Sequence, residues 1–205
     1  MHLDALTKQG KLLFPLLAKF KHFYLAGGTA VALQIGHRIS VDFDLFTPRK
    51  LSKNLLPLAE KIFGRGAVRP LVNNSDQLTV SIRGVALTFL YYPFPVVRAL
   101  VKAGGQRMLD VPELAATKVY TIGRRGTLKD YVDIYFILCE QHTSLADIIT
   151  LAERKYGASF NARLFLEQLV YLHDIPKAPL RFLKKPVAKA HLEKFFESEV
   201  KKIVI

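Results

Sequence analysis

The sequence predicts an α+β protein in which a mixed sheet with flanking helices is followed by a helical second half. Strand-like apolar segments occur before residue 93, and the Pro-Phe-Pro at 93–95 ends that region. Five later segments have apolar residues at helical spacing. They cover residues 112–125, 127–141, 145–156, 161–173 and 189–202. We therefore expect an α/β core over residues 1–100 and a helical domain over residues 101–205, packed on that core.

The first half alternates helices and strands. Leucines at helical spacing predict a helix over residues 3–20, which Pro15 is expected to bend or divide. A strand at 23–26 and a helix at 29–35 follow, and the helix ends at Gly36. A second strand is predicted at 41–46, with Val41, Phe43 and Leu45 on its apolar face.

The next part of the chain predicts a helix and a small antiparallel sheet. Ser52 is expected to cap a helix that runs to residue 63. Two or three strands follow, and Arg83-Gly84 is a plausible hairpin turn between the last two. These strands are predicted at residues 67–72, 77–82 and 85–92.

Composition narrows the class of protein. The chain has 205 residues, half of them hydrophobic, which indicates a folded globular protein. No apolar stretch reaches the roughly 18 residues of a membrane span, so no membrane partner is expected. The single cysteine, Cys139, excludes an internal disulfide and a cysteine-based zinc site. A cytoplasmic location is the default expectation.

The charge favours a polyanionic partner. Thirty Lys and Arg against seventeen Asp and Glu give a formal net charge of +13. The segment from residue 176 to 202 is basic and contains Phe182, Phe195 and Phe196. Such a face can hold a nucleic-acid backbone. The alternative is a solvated surface whose phenylalanines dock on the core.

Two aspartates lie one residue apart in an apolar strand. Asp42 and Asp44 point to the same face if the strand is regular, with Cβ atoms roughly 6–7 Å apart. Carboxylates that close repel each other unless a cation lies between them, and Mg²⁺ prefers oxygen ligands. The alternative is an edge strand whose aspartates pair with Arg38 or Arg49.

Gly27-Gly28 lies between a predicted strand and a predicted helix. Such a turn exposes backbone N–H groups at the positive end of a helix, which suits a phosphate. The Gly-Lys-Ser/Thr ending of a P-loop is absent. A simple tight turn is the alternative.

The order strand, Gly-Gly, helix and Asp-x-Asp strand resembles the nucleotidyltransferase fold of the DNA polymerase β type. The segment GGTAVALQIGHRISVDFDLF resembles the first motif of the AbiEii/AbiGii-type family of bacterial abortive-infection and toxin–antitoxin systems. The segment LAATKVYTIGRRGTLKDYVDIYFIL, residues 114–138, resembles the later motifs of that family. The resemblance covers roughly residues 20–140.

The resemblance implies a role for each matching residue. Gly27, Gly28 and Thr29 would hold the triphosphate of an NTP, and Asp42 and Asp44 would ligate Mg²⁺. Lys118 would contact nucleotide phosphates. Asp130 would be the later acidic residue and a base for the attacking hydroxyl. Asp133, three residues further along the same helix face, would support that site. His37 is expected to be a structural hydrogen-bonding residue near it.

Each later residue also has a plain structural interpretation. Lys118 fits a solvated helix lysine, and Asp130 fits a capping box with Thr127. Arg124 and Arg125 fit either phosphate or RNA contacts or a solvated helix end.

One position departs from the expected pattern. Nucleotidyltransferases of this fold usually have a third carboxylate on an adjacent strand, and the corresponding residue here is Thr88. The resemblance implies a Mg²⁺-dependent transfer of NMP from an NTP to a hydroxyl acceptor such as tRNA, by a toxin that an antitoxin counters. Thr88 favours the alternative of an inactive nucleotide- or nucleic-acid-binding protein of the same fold. A structural partner of an acidic antitoxin is a third interpretation.

Overall fold

Seven strands form one mixed sheet in the computed structural model, which describes residues 1–203. The strands are β1 (Tyr24–Ala26), β2 (Phe43–Thr47), β3 (Val68–Asn73), β4 (Gln77–Ile82), β5 (Val85–Tyr91), β6 (Val101–Ala103) and β7 (Gln106–Met108). Their order across the sheet is β3-β4-β5-β2-β1-β7-β6. The β2–β5 and β1–β7 pairs are parallel, and the other pairs are antiparallel.

Eight α-helices are present within the described residues, five of them after the sheet. The helices are α1 (Lys8–Leu17), α2 (Gly27–Ile35), α3 (Leu55–Phe63), α4 (Val111–Arg125), α5 (Leu128–Cys139), α6 (Leu145–Tyr156), α7 (Ala162–Val170) and α8 (Lys189–Val200). The predicted α+β class is therefore confirmed, as are the five helices of the second half. No helix between residues 1 and 203 is long and apolar enough to cross a membrane.

Several predicted details are wrong. The first helix begins at Lys8 and runs through Pro15 undivided, while Leu3–Ala5 form a separate 3₁₀ turn. The helix after β2 has Asn54 as its N-cap residue. The Ser52 hydroxyl accepts a hydrogen bond from the Asn54 amide, and the Ser52 carbonyl accepts one from the Leu55 amide.

Two strands were not predicted. β6 and β7 have three residues each, and β7, second from one edge of the sheet, pairs with β1. The sheet therefore extends beyond residue 100, the expected end of the first domain. The division into two domains stays a prediction.

The β4–β5 hairpin has the predicted turn. Arg83 and Gly84 both have positive φ angles, 51° and 80°. Two such residues in succession are typical of the tight turn whose twist matches that of the flanking strands. The hairpin places β5 beside β2.

A buried ion pair attaches α4 to the end of the sheet region. The Glu113 carboxylate accepts hydrogen bonds from the amides of Val97 and Arg98, at 3.0 and 2.9 Å. Lys155 of α6 approaches the same carboxylate at 2.6 Å, and both side chains are inaccessible to solvent. These contacts fix the start of α4, the helix that carries Lys118.

After α7 the chain returns across the molecule as an irregular segment, residues 171–188, which we call the strap. The Ile39 amide donates to the Arg181 carbonyl at 2.8 Å, and the Leu183 amide donates to the His37 carbonyl at 3.0 Å. The strap thereby covers the loop between α2 and β2.

Candidate active site

Asp44 is the second residue of β2, which lies between β1 and β5 in the sheet. It is opposite Ala26 of β1 and in register with Thr88 of β5. Asp42 precedes β2 and is exposed, and its Oδ1 accepts a hydrogen bond from the Ala86 amide at 3.0 Å. Both aspartates line one cavity, as their spacing predicts.

The strand itself differs slightly from the prediction. β2 begins at Phe43, and Val41, expected on the buried face, is 46% exposed. Phe43 and Leu45 are buried as predicted. Asp42 is therefore held by a side-chain contact to β5 and not by a place within the strand ladder.

Burial raises the pKa of the Asp44 carboxyl from its ordinary 3.8 to about 6. The Asp42 and Asp130 carboxylates add to this increase, while the Lys118 and Arg125 cations oppose it. The Asp44 carboxylate is therefore costly to ionise even with these two cations nearby. This electrostatic environment suits the binding of a metal ion.

Gly27 and Gly28 form the first turn of α2 against two charged side chains. A Cβ atom at Gly27 would lie 2.1 Å from Asp44 Oδ2, and the residue has a φ of +64°. A Cβ atom at Gly28 would lie 2.4 Å from an Arg38 guanidinium nitrogen. The glycines thus let the helix terminus approach the charged centre closely.

The Thr29 side chain is buried and faces the loop before β2. Its hydroxyl lies 2.7 Å from Ser40 Oγ and hydrogen-bonds to the Asp42 carbonyl. In this structure Thr29 therefore fixes the backbone of Asp42. The triphosphate contact that the resemblance implies for it stays a prediction.

The Asp133 carboxylate of α5 is fully buried and contacts three side chains, two from the loop between α2 and β2 and one from α4. Arg38 donates two hydrogen bonds to it, from Nε at 2.7 Å and from Nη2 at 2.9 Å. His37 Nε2 lies at 2.7 Å and Lys118 Nζ at 2.9 Å. Arg38 and Lys118 hold the pKa of Asp133 well below its ordinary value, against the opposing effect of burial. Asp133 therefore holds His37, Arg38 and Lys118 together, and its support of a nucleotide site stays a prediction.

Lys118 and Asp130 form a second buried contact in the same network. The Lys118 ammonium lies 2.7 Å from Asp130 Oδ1, and it is buried instead of solvated. Burial opposes its charge, but Asp133 and Asp130 outweigh that effect and raise its pKa. Asp130 Oδ2 accepts from the amide and hydroxyl of Thr127, at 2.9 and 2.8 Å, so the capping box is present.

His37 is a structural residue, as expected. Burial lowers its pKa despite the nearby Asp133 carboxylate, so the ring is neutral at pH 7. The proton on Nε2 is then donated to Asp133, and Nδ1 is buried without a hydrogen-bond partner in the described residues.

Two cavities meet at this centre. The first, which we call the strap cavity, has a volume of ≈ 270 Å³ and is walled on one side by Pro179, Leu180 and Arg181. The second, the sheet cavity, has a volume of ≈ 290 Å³ and lies between the face of β4 and β5 and α4. The residues that line both cavities are Gly28, Asp44, Lys118, Thr127 and Asp130. Four of these five residues are predicted site residues, and the fifth, Thr127, is the capping-box partner of Asp130.

The two arginines at the end of α4 differ in environment. Arg124 lies over the Tyr120 ring, 4.2 Å from its centroid, and donates to the Tyr120 hydroxyl and the Ser159 carbonyl. Arg125 is exposed, lines the sheet cavity and has no ion pair with a carboxylate among residues 1–203. Arg124 therefore fits the interpretation of an exposed helix-end residue, and a phosphate or RNA contact of Arg125 stays a prediction.

Two carboxylates, those of Asp42 and Asp44, are the candidate metal-ligating groups that β2 and the loop before it contribute to the strap cavity. Within residues 1–203 no three His, Cys, Asp or Glu side chains are grouped to hold a metal, and Thr88 is the neighbour of Asp44 on β5. Mg²⁺ is commonly bound by one or two carboxylates together with substrate phosphates. Asp42 and Asp44 fit that arrangement, with the phosphates of a substrate completing the coordination.

Sequence reasoning did not assign Arg38 or Ser40 to the site. Both are buried, and both line the strap cavity. Their signal was present in the string GHRIS, which was part of the first motif, but nothing local connects Arg38 with Asp133, 95 positions away.

The mixed sheet, the glycine turn at the start of α2 and the paired aspartates of β2 define a nucleotidyltransferase fold. The structure of MenT4, a nucleotidyltransferase toxin from Mycobacterium tuberculosis, is similar to this one, with a TM-score of 0.56 and 16% sequence identity. The match covers 94% of this chain and 81% of the MenT4 chain. JHP933 from Helicobacter pylori matches 96% and 95% at a TM-score of 0.53 and 15% identity. At such identities the likeness concerns the fold.

The family is shown by sequence. The family model described as nucleotidyl transferase AbiEii toxin, type IV TA system, matches residues 11–106 and 91–204. The chain belongs to this family of nucleotidyltransferase toxins, which confirms the resemblance found in its motifs. A protein of Aquifex aeolicus named aq_aa25 is 28% identical over 181 residues, which are 87% of this chain and 86% of that protein.

Proposed function

We propose that this protein transfers a nucleoside monophosphate from an NTP to a hydroxyl group of RNA, with tRNA as the expected acceptor. It acts as the toxin of a toxin–antitoxin pair. The observation that carries the proposal is the common wall of the two cavities, where Asp44, Lys118 and Asp130 meet the first turn of α2. Two substrates entering from opposite sides would meet at this wall.

The strap cavity suits the triphosphate. Gly28 brings the positive N-terminus of α2 to it, and the hydroxyl groups of Thr29 and Ser40 lie beside it. Arg38 and Lys129 add positive charge to the same cavity. These groups favour a ligand with several negative charges.

Asp42 and Asp44 would hold Mg²⁺ against the phosphates. When bound, the ion would neutralise phosphate charge that the two carboxylates would otherwise repel. Lys118 already contacts Asp130 and Asp133, and its third N–H would donate a hydrogen bond to a phosphate oxygen. Most of the rate enhancement would come from this fixed positioning of charges.

In the proposed reaction the acceptor oxygen bonds to the α-phosphorus as the bond from that phosphorus to the bridging oxygen breaks. Pyrophosphate leaves with the electron pair. Asp130 receives the proton of the acceptor hydroxyl, because it lines both cavities. The net charge of +13 supports a polyanionic acceptor.

A second candidate function rests on Thr88. This residue is in register with Asp44 where a third carboxylate is expected, and its hydroxyl lies 3.2 Å from that of Thr79. A protein with this substitution could bind nucleotide and RNA through the same cavities and catalyse nothing. Its RNA affinity would then fall with salt and be indifferent to Mg²⁺.

Label transfer separates the two. Purified protein is incubated with total tRNA, Mg²⁺ and each NTP labelled in turn at the α-phosphate, beside an Asp42→Asn/Asp44→Asn control. The enzyme is expected to label RNA from at least one NTP, while the control gives none. A parallel reaction with γ-labelled NTP should release labelled pyrophosphate and leave the RNA unlabelled. Folded wild-type protein that labels neither RNA nor itself, with binding of both substrates intact, would support the second function.

A further inference from the structure

The sheet cavity has the chemistry of a nucleoside site. Its own lining, apart from the residues shared with the strap cavity, includes apolar Phe46 and Leu90, polar uncharged Gln77 and Thr88, and a single cation, Arg125. An apolar surface beside hydrogen-bonding groups suits a base and a ribose. One cation suits one linking phosphate.

The hydrogen bonds at the rim of the sheet cavity are partly unused. Gln77 Nε2 donates to Thr79 Oγ1 at 2.8 Å, which leaves its second amide proton and its carbonyl oxygen available. On the opposite wall, Thr117 and Thr121 donate their hydroxyl protons to carbonyls of α4, at 3.0 and 2.9 Å. These two threonines therefore present oxygen acceptors to a ligand.

The charged residues of the two cavities also support this assignment. Apart from the shared residues, the strap cavity is lined by the cations Arg38, Lys129 and Arg181 and by the anion Asp42, which is a proposed Mg²⁺ ligand, whereas the sheet cavity has the cation Arg125 alone. Even with Arg38 paired to Asp133, two cations of the strap cavity remain for a ligand. A triphosphate requires more positive charge than a single phosphodiester. The distribution of charge thus assigns the triphosphate to the strap cavity.

We infer that the sheet cavity receives the terminal nucleoside of a single-stranded RNA acceptor, and that Arg125 binds the phosphate preceding it. This inference rests on the proposed function and specifies its acceptor subsite. The terminal hydroxyl would reach the common wall at Asp44 and Asp130, opposite the α-phosphate in the strap cavity. Thr88 lies beside this path as a neutral residue.

Binding measurements test the assignment without relying on turnover. The probe is a single-stranded RNA with a fluorophore at its 5′ end, titrated with protein at several salt concentrations without NTP. Arg125→Gln is expected to raise the Kd roughly fivefold and to reduce the slope of log K against log salt by about 0.7. Gln77→Leu should weaken binding without changing the slope, because it removes no charge.

The neighbouring arginine provides a matched control. Arg124→Gln removes the same charge one residue away, but Arg124 contacts Tyr120 and Ser159 instead of the cavity. RNA affinity and its salt slope should therefore stay at the wild-type values. Melting temperatures of all variants show that each one is folded.

Binding of NTP with Mg²⁺, measured by calorimetry, supplies the second arm. Arg125→Gln should leave the NTP Kd within about twofold of wild type, whereas Lys129→Gln should raise it. The inference is wrong if Arg125→Gln weakens NTP and not RNA binding, if it alters neither, or if wild-type protein does not bind the RNA. A wild-type protein that binds both RNA and NTP but transfers no label contradicts the proposed function. In that case the binding measurements still decide whether the sheet cavity receives the RNA.

Discussion

Replacing Asp44 with asparagine should stabilise the metal-free protein near neutral pH. Burial raises the pKa of this carboxyl from 3.8 to about 6, a difference of about two units. Each unit corresponds to about 1.4 kcal/mol, so keeping Asp44 ionised costs about 3 kcal/mol of folding free energy. Asparagine has nearly the same shape and no charge, so the substitution removes that cost.

The pH dependence fixes the sign of this effect. Because the folded-state pKa of Asp44 lies above the unfolded-state value, the folded protein retains a proton that the unfolded chain has lost between pH 3.8 and about 6. The contribution of Asp44 to stability therefore falls as the pH rises through this window, and the full cost is present above it. Asp44→Asn should gain most at pH 8 and little at pH 4.

Thermal unfolding in a metal chelator measures the gain. For a chain of this length 1 kcal/mol shifts the Tm by about 2–4 °C, so Asp44→Asn should melt about 6–12 °C above wild type at pH 8. Asp42→Asn is the matched control, because Asp42 is exposed and the change should be worth about 0.5 kcal/mol or less. An Asp44→Asn variant that melts at or below the wild-type temperature at pH 8 would refute the reasoning.

Three further substitutions test other parts of the site. Asp133→Asn should lower the free energy of unfolding, measured in denaturant, by about 3–5 kcal/mol, because it leaves buried cations without their carboxylate. The same change at exposed Asp76 should lower it by less than about 1 kcal/mol. Equal losses in the two variants would contradict this reasoning. Gly27→Ala should destabilise more than Gly157→Ala, since both residues have positive φ but only Gly27 lacks space for a Cβ atom, and equal melting temperatures would show that the close approach is unimportant. Thr88→Asp adds a third carboxylate and should strengthen Mg²⁺ binding. In a titration that follows the increase in Tm, the Mg²⁺ concentration for half of the full increase should fall by about tenfold. An unchanged concentration would place the metal elsewhere.

The parts of the fold that were predicted correctly have local signals. β4, its hairpin turn at Arg83-Gly84 and the helices of the second half depend on apolar periodicity and turn residues within each segment. β6 and β7 have three residues each and form because partners are available in the sheet. Strands that short carry no periodicity from which they can be predicted.

The site shows the same division. The spacing of Asp42 and Asp44 and the capping box of Asp130 are local patterns, and the structure brings all three to one cavity. The pairing of Arg38 with Asp133 joins residues 95 positions apart, and the strap reaches the site from still further along the chain. Such contacts depend on the assembled fold and leave no periodic trace in the sequence.

The most direct test of the account is a crystal structure with Mn²⁺ in place of Mg²⁺ and a non-hydrolysable NTP analogue. The anomalous signal of manganese locates the ion independently of the protein atoms. We expect one peak in contact with the carboxylates of Asp42 and Asp44, and triphosphate oxygens at the Gly27 and Gly28 end of α2. An ion and a triphosphate bound away from these aspartates would contradict the account.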